Sequence, residues 1–234
     1  MTEGGKTRLA PGGAPYRLRM LCGAATILAL TAAAGSSAQA QEAQPAARLS
    51  FTKVLKGSVP EYVSLTVDAD GQATYDGRQL ADAPSPRTLR ISAGTTTRLF
   101  SLAESLGYFR SLNLESRHKV ADLGRKTLTY EANGATGRVE YNYTENRTAQ
   151  ELTEQFEKIA NVEEHISQLE YATKYDPLSL PGQLRQIQVE LNEHALLETA
   201  LLVPTLEKIA SNSRFLHLAQ SRAQDILDRV REEH

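Results

Sequence analysis

The sequence predicts an α+β fold: an antiparallel sheet of about five to six strands with two packed helices, followed by a C-terminal helical hairpin. Three observations predict it. Residues 57–77 read as a β-hairpin, with β-branched and aromatic residues in the arms and Asp-Gly pairs at the turn (Asp70-Gly71) and the exit (Asp76-Gly77). Asn133-Gly134 joins a second pair of arms, Lys126 to Ala132 and Thr136 to Tyr143, the strongest short hairpin signal. After Pro177 no strand pattern remains, and Leu, Gln, Glu and Arg dominate.

Taken in order, Arg48 to Leu55 alternates as a strand, Leu49, Phe51 and Leu55 opposing Ser50, Thr52 and Val54. In the hairpin, Val63, Leu65 and Val67 form a greasy face while Tyr62, Ser64 and Thr66 form a mixed one, as in a sheet covered on one side. Pro84 and Pro86, which lack backbone donors, mark a rigid loop before a short strand from Thr88 to Ile91. Ser92 and Thr95 to Thr97 offer N-caps for a helix ending at Gly107, with Leu99, Leu102, Ala103 and Leu106 on one stripe. Thr148 to Glu151 reads as a capping box opening a long helix, buried through Leu152, Phe156, Ile159, Ile166 and Leu169 and ended by Asp176-Pro177. Leu184, Ile187, Leu191 and Ala195 trace one C-terminal arm. Leu206, Ile209, Leu216, Ala223, Ile226 or Leu227, and Val230 trace the other, with one helix kinked at Pro204 as the alternative.

The N-terminus reads as a secretory signal over residues 1–40. Arg17 and Arg19 precede an apolar run from Met20 to about Ala34, and Ala38-Gln39-Ala40 forms the cleavage pattern. The run is shorter than the roughly twenty residues of a spanning helix. Residues 41–47 form a flexible lead-in, 48–175 an α+β domain and 176–234 a helical appendage. The expected location is periplasmic or secreted. Cleavage removes Lys6, Arg8, Arg17, Arg19 and Glu3, a net three positive charges, so the formal charge of −2 becomes −5. An acidic chain has no electrostatic footprint for nucleic acid. Cleavage also removes Cys22, the single cysteine, which excludes disulfides, thiolate metal sites and cysteine nucleophiles from the mature protein.

Candidate sites are few. Arg117, His118, Lys119, Asp122 and Arg125 lie in the longest irregular stretch, a locally basic loop suited to a small anionic ligand or an acidic envelope protein. If that loop were helical, His118 and Asp122 would orient one another. Glu190, His194 and Glu198 recur every four residues, the spacing of one helical face, and read as a solvated face of ion pairs. Asp68, Asp70 and Asp76 read as turn aspartates. No metal or cofactor is expected.

The pattern Phe51…Gly57-x-x-Pro60-x-Tyr62-x-x-Leu65-x-Val67-x-x-Asp70-Gly71-x-x-x-Tyr75-x-Gly77 resembles an uncharacterised bacterial domain found in exported proteins, with looser similarity to about residue 172. The resemblance implies an exported α+β domain and no known activity. In such relatives cysteines often flank the glycine before Pro-x-Tyr; here Leu55 and Val59 stand there. There is no Gly-x-Ser-x-Gly elbow, His-Glu-x-x-His, phosphate loop or dinucleotide fingerprint. The expectation is a non-catalytic envelope binding or interaction module, with a hydrolase site between the sheet and the 110–126 loop as the alternative. A homodimer through the C-terminal helices is a further expectation, should their apolar stripes face outward.

Overall fold

The sheet is built around β1 (Arg48–Val54), which pairs antiparallel with β2 (Tyr62–Asp68) on one side and with β5 (Arg125–Ala132) on the other. β3 (Gln72–Arg78), β4 (Arg87–Arg90) and β6 (Ala135–Tyr141) complete the order β4-β3-β2-β1-β5-β6, antiparallel throughout. The structure, a computed structural model, describes residues 47–232. The expected signal peptide and nearly all of the lead-in lie outside the described residues. Both hairpin turns follow their residues. Gly71 donates to the Asp68 carbonyl at 2.9 Å with φ +84°, and Asn133 and Gly134 both take positive φ, as a two-residue hairpin turn demands.

α1 (Ala93–Ser105) and α2 (Arg147–Tyr175) cover one face of the sheet. Leu49, Phe51, Leu65, Val67, Leu128 and Tyr141 are buried beneath them, and Phe51 stacks on Phe156 of α2 at 5.3 Å. The open face carries hydroxyls. Thr88, Thr74, Thr66, Ser50 and Thr129 stand in register across five strands, with Ser50 Oγ 3.1 Å from Thr66 Oγ1. β-branched stems suit the pleat while their hydroxyls keep it wetted.

Ser92 caps α1 as expected, its Oγ accepting from the Thr95 amide at 3.2 Å. α2 starts two residues before the expected box. Its cap is Asn146, whose Oδ1 accepts from the Ala149 amide at 3.0 Å, while Glu151 turns away to pair with Arg98 of α1.

The first C-terminal arm is α3 (Leu180–Asn192); the second is present as two helices, α4 (Val203–Ala210) and α5 (His217–Glu232). Pro204 sits in the first turn of α4, where a missing N–H costs nothing. The break falls at Asn212, whose Oδ1 accepts from the Arg214 amide and whose carbonyl accepts from Gln220 Nε2. Leu216 therefore leaves the apolar stripe and is 49% exposed.

Two hydrophobic clusters divide the interior. One joins the sheet, α1 and α2 up to Ala160; the other joins α2 from Val162 onward to α3, α4 and α5. Both belong to one compact unit. The stripes weighed as a dimer seam are committed within the chain, since Leu184, Ile187, Leu206, Ile209, Ala223 and Ile226 are all buried. Glu198 ties the two regions together. Its carboxylate accepts from the Ser92 amide at 3.0 Å and from Ser92 Oγ at 2.6 Å, a favourable place for a negative charge, at the start of α1. Because Glu198 holds φ at +63°, Glu198→Ala keeps the strain and loses both bonds. That variant should lose about 1 kcal/mol in urea titrations.

Candidate functional site

The basic loop is pinned from beneath and open above. Leu114 is buried. Asn142 accepts from the Leu123 amide at 2.8 Å through Oδ1 and donates to the Ala121 carbonyl at 2.9 Å through Nδ2. Lys126 is buried, and its Nζ donates to the carbonyls of Leu123, Gly124 and Asn142 at 3.2, 3.4 and 3.1 Å. Burial lowers its pKa from the usual lysine value.

The five predicted site residues do not converge. His118, 75% exposed, reaches Glu145 at 3.2 Å. Asp122 folds back on its own loop, accepting from the Gly124 amide at 3.0 Å, and Arg125 lies 3.6 Å from Glu140. Arg117 and Lys119 are exposed. The loop is not helical, so the His118–Asp122 pairing does not form. The Glu190, His194, Glu198 face is absent for a similar reason: α3 stops at Asn192. Glu190 instead meets His165 Nε2 at 2.8 Å, joining α3 to α2, while Glu198 caps α1. Asp68 pairs with Arg48, Asp76 with Arg78, and Asp70 accepts from the Gln72 amide. Among the described residues no three His, Cys, Asp or Glu side chains cluster as metal ligands.

A cleft that sequence reasoning missed lies between the C-terminal turns of α2 and α4 and the turn that follows α4. Its volume is about 710 Å³, and it is lined by Glu170, Thr173, Lys174, Thr205, Lys208, Ser211, Asn212, Ser213 and Phe215. Glu170 is the one carboxylate in this lining, and both of its oxygens are held by Arg87, at 3.0 and 3.3 Å. Lys174 and Lys208 have no carboxylate within ion-pair distance among the described residues. The helix C-termini offset part of their charge. The two lysines line one cavity with that as their only compensation from charged or dipolar groups among the described residues. The signal in the sequence was faint, since Lys174 and Lys208 are thirty-four positions apart and each reads alone as an ordinary helix-end lysine.

Arg87 anchors a second polar cluster behind this cleft. From β4 it reaches Glu170, Ser167 Oγ at 3.3 Å and the buried Glu163 at 3.5 Å, stitching the sheet edge to α2. Burial raises the Glu163 pKa above the usual carboxylate value, with Arg87 opposing and Glu170 adding to the rise. The native state thus holds this proton more tightly than the unfolded chain. Stability falls as pH climbs from the unfolded value through the folded one. Glu163→Gln should raise Tm at pH 7 and lose that advantage near pH 4; a lower Tm at pH 7 would mean the Arg87 pairing outweighs burial. Burial also pushes the Tyr141 phenol up to about 12, its hydroxyl bonded to Thr153 Oγ1.

Among the described residues no helix is long and apolar enough to cross a membrane. No curated protein matches the chain. Residues 56–163, which run from the loop before β2 to the middle of α2 and include neither β1 nor the α2–α4 cleft, match the family described as Domain of unknown function (DUF6438).

Proposed function

We propose that the protein is a non-catalytic binding module of the cell envelope, exported by its N-terminal signal and holding a ligand in the α2–α4 cleft. The cleft itself carries the reading: it lies within the size range of ligand sites, roughly 300–1,000 Å³. Its walls hold hydroxyls, an amide and ammonium groups, but no carboxylate or imidazole positioned to activate them. The exported half of the proposal is supported by the Arg17 to Ala40 pattern.

The hydrolase alternative needs His118 in a pocket with a second titratable partner. Its ring instead stands mostly in solvent beside Glu145, itself 60% exposed. Amide resonances of the isotope-labelled mature chain, followed while a mixed metabolite library is added, test the binding reading. A ligand that shifts residues 170–174 and 205–215 and is recovered unchanged supports it; a ligand that is consumed overturns it. N-terminal sequencing of protein recovered from the envelope or medium should begin at Gln41.

A further inference from the structure

We infer that the α2–α4 cleft takes a small organic dianion, a phosphomonoester or a dicarboxylate, with its apolar part against Phe215. The inference rests on the binding reading above and adds the ligand's chemistry.

The free side-chain nitrogens of the cleft are all donors. Lys174 and Lys208 each present an ammonium group with no acceptor of its own among the described residues. Asn212 Oδ1 is occupied by the Arg214 amide at 3.0 Å, which fixes the side chain and leaves its NH2 group as the free end. Ser213 adds a hydroxyl without a partner among the described residues. Several acceptors nearby are engaged: Glu170 holds Arg87 with both oxygens, and the Glu170 and Glu207 carbonyls take the hydroxyls of Thr173 and Ser211 at 2.8 and 2.7 Å. Side chains rich in free donors match a ligand that accepts.

Two ammonium groups without a carboxylate partner among the described residues match two negative charges. With Glu170 held by Arg87, the lysines are the charged groups of the lining without an ion-pair partner among the described residues. In a chain whose formal total is negative, their concentration in this cleft is a local feature rather than a reflection of composition. Size then excludes a bare inorganic ion as the best fit. A cleft of about 710 Å³ has room for an organic body, and Phe215, partly buried against the second hydrophobic cluster, supplies a flat apolar wall.

The test titrates the mature chain with phenyl phosphate, phthalate, inorganic phosphate and uncharged benzamide, read by calorimetry and by amide shifts at 173–174 and 208–215. Phenyl phosphate or phthalate should bind in the cleft more tightly than inorganic phosphate, and the tighter of the two identifies the anionic group. Lys208→Gln should weaken that binding about ten-fold, as loss of one charged hydrogen bond implies. Raising NaCl to about 0.5 M should weaken it further by screening. Lys208 is exposed and without a carboxylate partner among the described residues, so the variant should melt as the wild type does. Binding of benzamide as tight as that of the anions, or unchanged anion binding by the Lys174→Gln/Lys208→Gln double variant, would overturn the dianion while leaving a binding module. A cleft that no probe or library compound perturbs would overturn both.

Discussion

A chain ended after Asp176 should not survive as a folded monomer. Val162, Ile166, Leu169 and Ala172 on α2 are 0 to 4% exposed, and the residues that bury them lie in α3, α4 and α5. Uncovering the three larger side chains alone forfeits roughly 5 kcal/mol, at about 1.5–3 kcal/mol each. That is a large share of the net stability of a domain, about 5–15 kcal/mol. The α2–α3 bond between His165 and Glu190 is lost too. The truncated chain should appear in the void volume on size exclusion and bind a hydrophobic dye. A monomeric species with wild-type near-ultraviolet dichroism would instead establish residues 176–234 as an appendage in the full sense.

Gly137→Ala should be the most damaging single substitution in the sheet. Gly137 faces Tyr130 across the β5–β6 ladder, and a methyl group there would be driven into the Tyr108 carbonyl. Backbone cannot yield as a flexible side chain does. Gly107, Tyr108 and Phe109 hold φ values of +61°, +54° and +63°, a left-handed run that costs non-glycine residues roughly 1–2 kcal/mol each. Phe109, 1% exposed, and the Tyr108 ring, stacked on Tyr130 at 4.3 Å, keep that run in place. Displacing the carbonyl would undo both anchors. The expected loss is about 3 kcal/mol by chemical denaturation. Gly182→Ala is the control: nothing lies within 4 Å of the added carbon, φ there is not positive, and a helical alanine should be neutral or stabilising. Equal effects at the two positions would remove the steric explanation.

The sheet was legible because its signals are local. Asp70-Gly71 and Asn133-Gly134 fix their turns within four residues, and alternation between them settles which side chains meet α1 and α2. The start of α2 lies two residues before the expected box because Asn146 and Thr148 both suit a cap; Asn146 takes it, and Glu151, the far member of the box, pairs with Arg98. The division of the second C-terminal arm hinged on Asn212, whose side chain offers the backbone an alternative to continuing the helix. Loop length and local charge point to the predicted site residues, but the partners of His118 and Arg125, Glu145 and Glu140, come from outside the loop. The α2–α4 cleft was illegible for a different reason. It exists only where two helix ends and a turn meet, and no window of sequence contains all three.

The placement of both hydrophobic clusters on α2 has a thermodynamic consequence. A helix whose first half seals the sheet and whose second half seals the terminal helices cannot melt for one cluster and persist for the other. The protein should therefore unfold in a single cooperative transition. A ligand seated between α2 and α4, more than a hundred residues along the chain from β1, should slow hydrogen exchange at the Leu49 and Phe51 amides as much as at its own contacts.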